Sequence, residues 1–163
     1  MHTYRPDLLN ALANYLEELP KIAFDLRHFI GKKHAIFEVD DKMASVLSTN
    51  PDLQEIQGCG ATACALGHGP SVPELAAAGL KLEISKLRNN FRRRINVTYN
   101  NNVGYDAAEE LFGIPFALVN HFFDPNYYYE EDLGNPKVVA ERIHQFISNP
   151  IEYVEKNRLM HWC

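Results

Sequence analysis

Three residues of this 163-residue chain stand close enough in sequence to share chemistry: Cys59, Cys64 and His68, in the run Gly58-Cys59-Gly60-Ala61-Thr62-Ala63-Cys64-Ala65-Leu66-Gly67-His68. A helix beginning near Ala61 would set Cys64 and His68 four residues apart on one face, within reach of one ion. Cys59 would then lie at or just before the helix N-terminus, where free backbone N–H groups and the helix dipole favour a thiolate. Three readings are open. In the first the segment is architecture: a cysteine in an Ala-rich helix is a small buried hydrophobe, a histidine near a helix end bonds carbonyls, and small residues let another element approach. In the second it belongs to a zinc site, with a fourth ligand from His28, His34, His121 or a distant carboxylate. In the third Cys59 is a thiol nucleophile with His68 or His121 as base and helix N–H groups as the oxyanion site. The chain has no second Cys or His pair at zinc-binding spacing and no cysteine-hydrolase signature, so the architectural reading leads.

Two further stretches carry surface chemistry. Lys86-Leu87-Arg88-Asn89-Asn90-Phe91-Arg92-Arg93-Arg94 holds five positive charges and no negative one. Arg92, Arg93 and Arg94, with asparagines and Tyr99 nearby, could grip phosphates or stack a base. They could equally form a solvated helix face or loop, or meet an acidic protein. His121-Phe122-Phe123-Asp124-Pro125-Asn126-Tyr127-Tyr128-Tyr129 runs into Glu130-Glu131-Asp132. Some of these rings should close the core over the cysteine segment, and exposed ones, with Tyr127, Tyr128 and Tyr129 as candidates, would make a contact patch. The tail Leu159-Met160-His161-Trp162-Cys163 is apolar for a terminus, so Trp162 is expected to pack on the body or enter a partner subunit.

Helical spacing of Leu8, Leu9, Leu12, Tyr15, Leu16 and Leu19 predicts a helix over 6–19, opened by Pro6 and stopped by Pro20. Residues 21–34 read as irregular or a short helical turn, with Phe24, Leu26, Phe29 and Ile30 as core candidates. A short strand is expected over 34–39, a helix over 41–47, and a helix start at Asn50-Pro51-Asp52. Ser71-Val72-Pro73-Glu74 has the form of a capping box opening a short helix that Gly79 ends. Within the polar run 81–104, Ile95-Asn96-Val97-Thr98-Tyr99 alternates as a strand or hairpin edge, and Asn100-Asn101-Asn102 is a turn. Helices are expected over 106–112 with Gly113 as cap, and over 115–123. A further one follows Asn135-Pro136, burying Val138, Val139, Ile143, Phe146 and Ile147. Asn149-Pro150 would start another, with Ile151 and Val154 inward. The sum is a mainly α single domain of about six to eight short helices over 1–163, with room for a small two-stranded β element.

The segment from Cys59 to His68 resembles a family of small, uncharacterised bacterial and phage proteins marked by Cys-Gly-x-x-x-Cys-x-x-Gly followed by His or Trp. The likeness extends to the N-terminal helix, Phe24-Asp25-Leu26-x-x-Phe29, Pro73-Glu74 and Gly79-Leu80. It resumes at Ala107-Ala108-x-x-Leu111-Phe112-Gly113, Phe122-Phe123-Asp124-Pro125-x-Tyr127 and Pro136-x-Val138-Val139-Ala140-x-Arg142-Ile143. The resemblance implies no activity. It weakens the metal reading, because a member with Trp at position 68 lacks that ligand.

Composition narrows the classes. Hydrophobic residues make up 46%, enough for a packed core, and 16 Lys and Arg against 21 Asp and Glu leave a charge of -5, a poor match to a general nucleic-acid binder. No apolar run approaches the roughly 18 residues of a membrane span. Met1-His2-Thr3-Tyr4-Arg5 opens no apolar signal core, and three cysteines make no disulfide framework, so a cytoplasmic protein is expected. On the same grounds Asn96-Val97-Thr98 reads as a chance glycosylation match. There is no phosphate loop, nucleotide fingerprint, paired catalytic carboxylates or complete triad. The expectation is a non-enzymatic binding or regulatory protein with a protein partner and no cofactor, homo-oligomerisation being open. The alternatives are a metal- or thiol-dependent enzyme at Cys59, Cys64 and His68, and nucleic-acid binding through 86–94.

Overall fold

The computed structural model describes residues 3–27, 64–86 and 93–159. Cys59, Arg92, Trp162, His28, His34, Phe29 and Ile30, with the elements expected over 34–39, 41–47 and from Asn50, lie outside them. The fold is mainly α: seven α-helices and one three-stranded antiparallel sheet stand among the described residues. No helix there is long and apolar enough to cross a membrane.

Helix α1, Pro6–Glu18, follows its sequence pattern and buries Leu8, Leu9, Leu12, Ala13 and Leu16. Its main neighbour is α6, Pro136–Ser148, which returns Val139, Ala140, Ile143 and Phe146 to the same core. A 3-10 turn, Lys21–Ala23, follows α1 and delivers Phe24 and Leu26 inward. Helix α2, Ala65–His68, is one turn long. It starts four residues later than the spacing predicted, because Cys64 is the cap and not a helical residue.

Helix α3, Pro73–Ala78, ends at Gly79, which holds φ 112°. The capping box does not form. Gly69-Pro70 winds a 3-10 turn that takes in Ser71, the Val72 amide closes it on the Gly69 carbonyl at 2.9 Å, and Val72 becomes a cap without a side-chain bond.

The β element has one strand more than expected. Strand β1, Lys81–Lys86, pairs with β2, Arg93–Tyr99, from Lys81 opposite Thr98 to Lys86 opposite Arg93. Asn100 and Asn101 take φ 48° and 70°, as a two-residue hairpin turn requires, and return the chain as β3, Asn102–Val103. The β1 sequence Lys-Leu-Glu-Ile-Ser-Lys alternates as β2 does, a signal masked by the polar composition around it. Asn96 is buried in β2.

Helices α4, Tyr105–Phe112, and α5, Phe116–Phe123, are separated by Gly113. Gly113 has φ 63°, and a Cβ there would collide with the Thr3 carbonyl, so only glycine lets the N-terminal residues lie against this turn. The Arg5 amide donates to Phe112 O at 2.9 Å.

Helix α7, Pro150–Lys156, begins where Asn149 predicts, and the Asn149 side chain accepts from the Glu152 amide. Its phase differs from the expectation: Tyr153 is buried and Ile151 is 73% exposed. Two helical residues apart is about 200° of rotation, so burying Tyr153 turns Ile151 outward.

Candidate interaction surface

The cysteine segment comes first because its residue types promised most. Cys64 and His68 are both buried. Cys64 Sγ accepts the Gly67 amide at 3.4 Å, standing in for the usual oxygen of a helix cap. His68 Nε2 lies 2.7 Å from the Ala23 carbonyl. A carbonyl only accepts, so the proton sits on Nε2 and the imidazole clamps α2 to the turn after α1. The Tyr15 ring lies beside it, centroids 6.0 Å apart. Among the described residues no three His, Cys, Asp or Glu side chains gather as a metal would need.

His121, weighed as a base or ligand, is engaged elsewhere. It is buried on α5, and its Nε2 shares a 2.9 Å hydrogen bond with the Tyr153 hydroxyl. Burial first, and the Arg142 charge second, push its pKa down to about 4, while burial pushes Tyr153 up to about 12. Both groups are neutral near pH 7, and the pair is a satisfied core contact.

The C-terminal end of α5 organises the aromatic stretch. A helix leaves its last four carbonyls without helical partners. Here the Asp124 amide donates to Asn120 O at 2.8 Å, and Arg142 donates to His121 O at 3.0 Å. The Tyr128 hydroxyl donates to Phe122 O at 2.6 Å and the Tyr105 hydroxyl to Phe123 O at 3.2 Å. Burial raises the pKa of both phenols above the usual tyrosine value, which keeps them protonated as donors.

Arg142 does more than cap. Its second nitrogen donates to Tyr127 O at 2.8 Å, and its guanidinium lies 3.7 Å from the Tyr128 ring centroid. Further along, the Leu26 amide donates to Leu133 O at 2.9 Å. Residues 124–133 are therefore pinned at both ends and in the middle. Comparison with protein-family models, with curated proteins and with solved structures finds no match for this chain.

The pinned segment divides its rings as the sequence could not. Phe122 and Phe123 are buried in one core cluster with Cys64, Ala65 and Leu66, and their described ring contacts are with Phe112, Phe146, Tyr153 and His121. Tyr128 is half-buried under Arg142 and is a structural residue. Tyr127 and Tyr129 are 49% and 74% exposed. Beside them Glu130 and Glu131 are exposed and Asp132 is half-buried, and none of the three forms an ion pair among the described residues.

Tyr105 and Tyr153, on which this surface depends, carry no motif, and Arg142 enters the sequence analysis through a resemblance that assigns it no role. Their roles arise from contacts 15 to 32 residues away in sequence. Of the basic candidates, Arg93 and Arg94 begin β2, so this part of 86–94 is a hairpin end and not a helix face.

A groove of about 800 Å³ between α1, α6 and α7 offers less. Its polar groups answer one another: His144 Nε2 is 3.2 Å from Glu17 Oε1, Gln145 donates to Glu141 at 3.0 Å, and Asn149 donates to Glu152 at 2.8 Å.

Proposed function

We propose that this chain is a small binding or regulatory protein, cytoplasmic and of bacterial or phage origin, that acts through protein contacts. Its contact surface is 127–132, and the matching partner segment is cationic. One observation carries this reading: Tyr127 and Tyr129 stand exposed on backbone that Arg142, Tyr128 and Leu26 hold in place. Exposed aromatics on a fixed segment bind with little loss of conformational freedom. Tyrosine faces and unpaired carboxylates together suit arginine, which stacks and pairs at once.

The likeness of 59–68 to uncharacterised bacterial and phage proteins is the ground for the proposed origin and adds no activity. An enzyme or zinc module would have to be built around Cys59, Cys64 and His68; Cys59 lies outside the described residues, and the contacts of Cys64 and His68 are accounted for by packing.

The test is a titration of an octa-arginine peptide into isotope-labelled protein, followed by NMR. Shifts are expected to centre on 127–132, and Tyr127→Ala with Tyr129→Ala to weaken binding about tenfold or more while the fold is kept. Equal affinity of the double variant would reject this surface.

A further inference from the structure

The run Tyr127-Tyr128-Tyr129 offers three identical phenols, and the fold makes them unequal. Tyr128 and Tyr129 stand on extended backbone, at φ -124° ψ 153° and φ -70° ψ 152°, between the 3-10 turns Pro125–Tyr127 and Glu130–Asp132. Successive side chains on extended backbone point opposite ways, so once Tyr128 turns inward Tyr129 turns outward. Tyr128 lies under Arg142, and its hydroxyl donates to the Phe122 carbonyl. An anion on that oxygen would remove the donor and set negative charge against a carbonyl in a half-buried place, so Tyr128 is closed to modification while the fold holds. The Tyr127 ring lies edge-on to buried His121, centroids 6.0 Å apart, and is half covered. Tyr129 is 74% exposed, and its hydroxyl has no partner among the described residues.

Exposed Glu130 and Glu131 follow Tyr129 directly, so an enzyme that seats this phenol must receive two carboxylates with cationic groups of its own. We propose that Tyr129 is a phosphoacceptor and that its phosphorylation strengthens the 127–132 face for a cationic partner. The transfer stands apart from the proposed function; the strengthening rests on it. In the step, Tyr129 Oη attacks the γ-phosphorus of ATP held with magnesium by a protein-tyrosine kinase. The new O–P bond forms as the bond from the γ-phosphorus to the β,γ-bridging oxygen breaks, ADP leaves, and the phenol proton passes to the base of the kinase. The phosphate adds a charge of about -1.5 to -2 beside Glu130 and Glu131, where exposure to water and salt keeps the repulsion small. Arginine pairs with a phosphate through two parallel N–H···O bonds, a contact that the bare phenol does not offer.

The intact chain is incubated with magnesium, ATP and a tyrosine-kinase catalytic domain chosen because it labels a peptide of residues 124–134, free of the outside anchors, at more than one tyrosine. Site-resolved mass spectrometry of the intact chain should find phosphate on Tyr129 at least about tenfold faster than on Tyr127, and none on Tyr128, because the pinned segment must open before either can be reached. Y129F should remove that labelling, and Y127F, which keeps the ring beside His121, should leave the Tyr129 rate within about twofold. The phosphorylated protein should bind octa-arginine about tenfold more tightly than the unmodified one, and a phosphatase should reverse the gain. An intact chain unlabelled at Tyr129, or labelled as fast at Tyr128, overturns the proposal while octa-arginine binding by the unmodified protein keeps the proposed function. Phosphorylation that tightens binding less than about twofold overturns the strengthening. If neither form binds octa-arginine, the proposed function falls and the strengthening with it, and a phosphate found on Tyr129 supports the acceptor by itself.

Discussion

Among the described residues two histidines are buried, in two unlike ways. His68 sits in a one-turn helix and donates to one distant carbonyl, beside a cysteine that caps the same turn. His121 sits at the end of an eight-residue helix, within a network of Tyr153, Arg142, Tyr128 and Tyr105 that reaches the surface at Tyr127 and Tyr129. The first region has the more reactive residue types and spends them on a joint. The second has ordinary types and fixes an exposed face. Reactive chemistry needs access as well as residue identity, and access follows from the fold.

The comparison breaks first at Arg142. Arg142→Ala removes two hydrogen bonds to carbonyls and a stacked guanidinium, so a loss of about 3 kcal/mol in chemical denaturation is expected, with weaker octa-arginine binding. A loss under about 1 kcal/mol would show that the α5 end does not need it. Lysine at 142 should restore little, because it cannot fork between His121 O and Tyr127 O.

The acid limb of stability comes next. The unfolded chain protonates His121 near its ordinary value of 6.5, whereas the folded chain resists until about pH 4. The unfolded state then binds more protons, so stability is full above about pH 6.5 and falls as pH drops toward 4, by at most about 3 kcal/mol. His121→Gln should flatten that limb in denaturation curves recorded across the range; an unchanged slope would assign it to other groups.

The joint at 64–68 should respond less. His68→Leu leaves the Ala23 carbonyl without its donor and should cost about 2 kcal/mol. Cys64→Ser keeps a capping atom and should cost under about 1 kcal/mol. Equal, larger losses at both positions would mean that the joint does more than pack.

Elements with an amphipathic stripe or a proline-led cap were legible from sequence: α1, α4, α5 and α6 lie within a residue or two of expectation. What stayed hidden is non-local. Ser71 was displaced as a cap by the 3-10 turn before it, and β1 became a strand by pairing with β2. Ile151 lost its inward place because Tyr153 meets His121 from 32 residues away. The candidate surface was half legible. The aromatic–acidic run announced itself, but Arg142 supplies the distinction between Tyr128 and its neighbours, and nothing near it in sequence points to that role.

The far end of α5 draws its partners from Tyr105, Tyr128 and Arg142, three separate stretches of chain. Excised as a peptide, 124–132 would lose every anchor that comes from outside it. Recognition at the proposed surface would therefore be reserved for the intact molecule: a truncated, nicked or misfolded copy would not display it, and a partner that read it would in the same act verify that folding is complete.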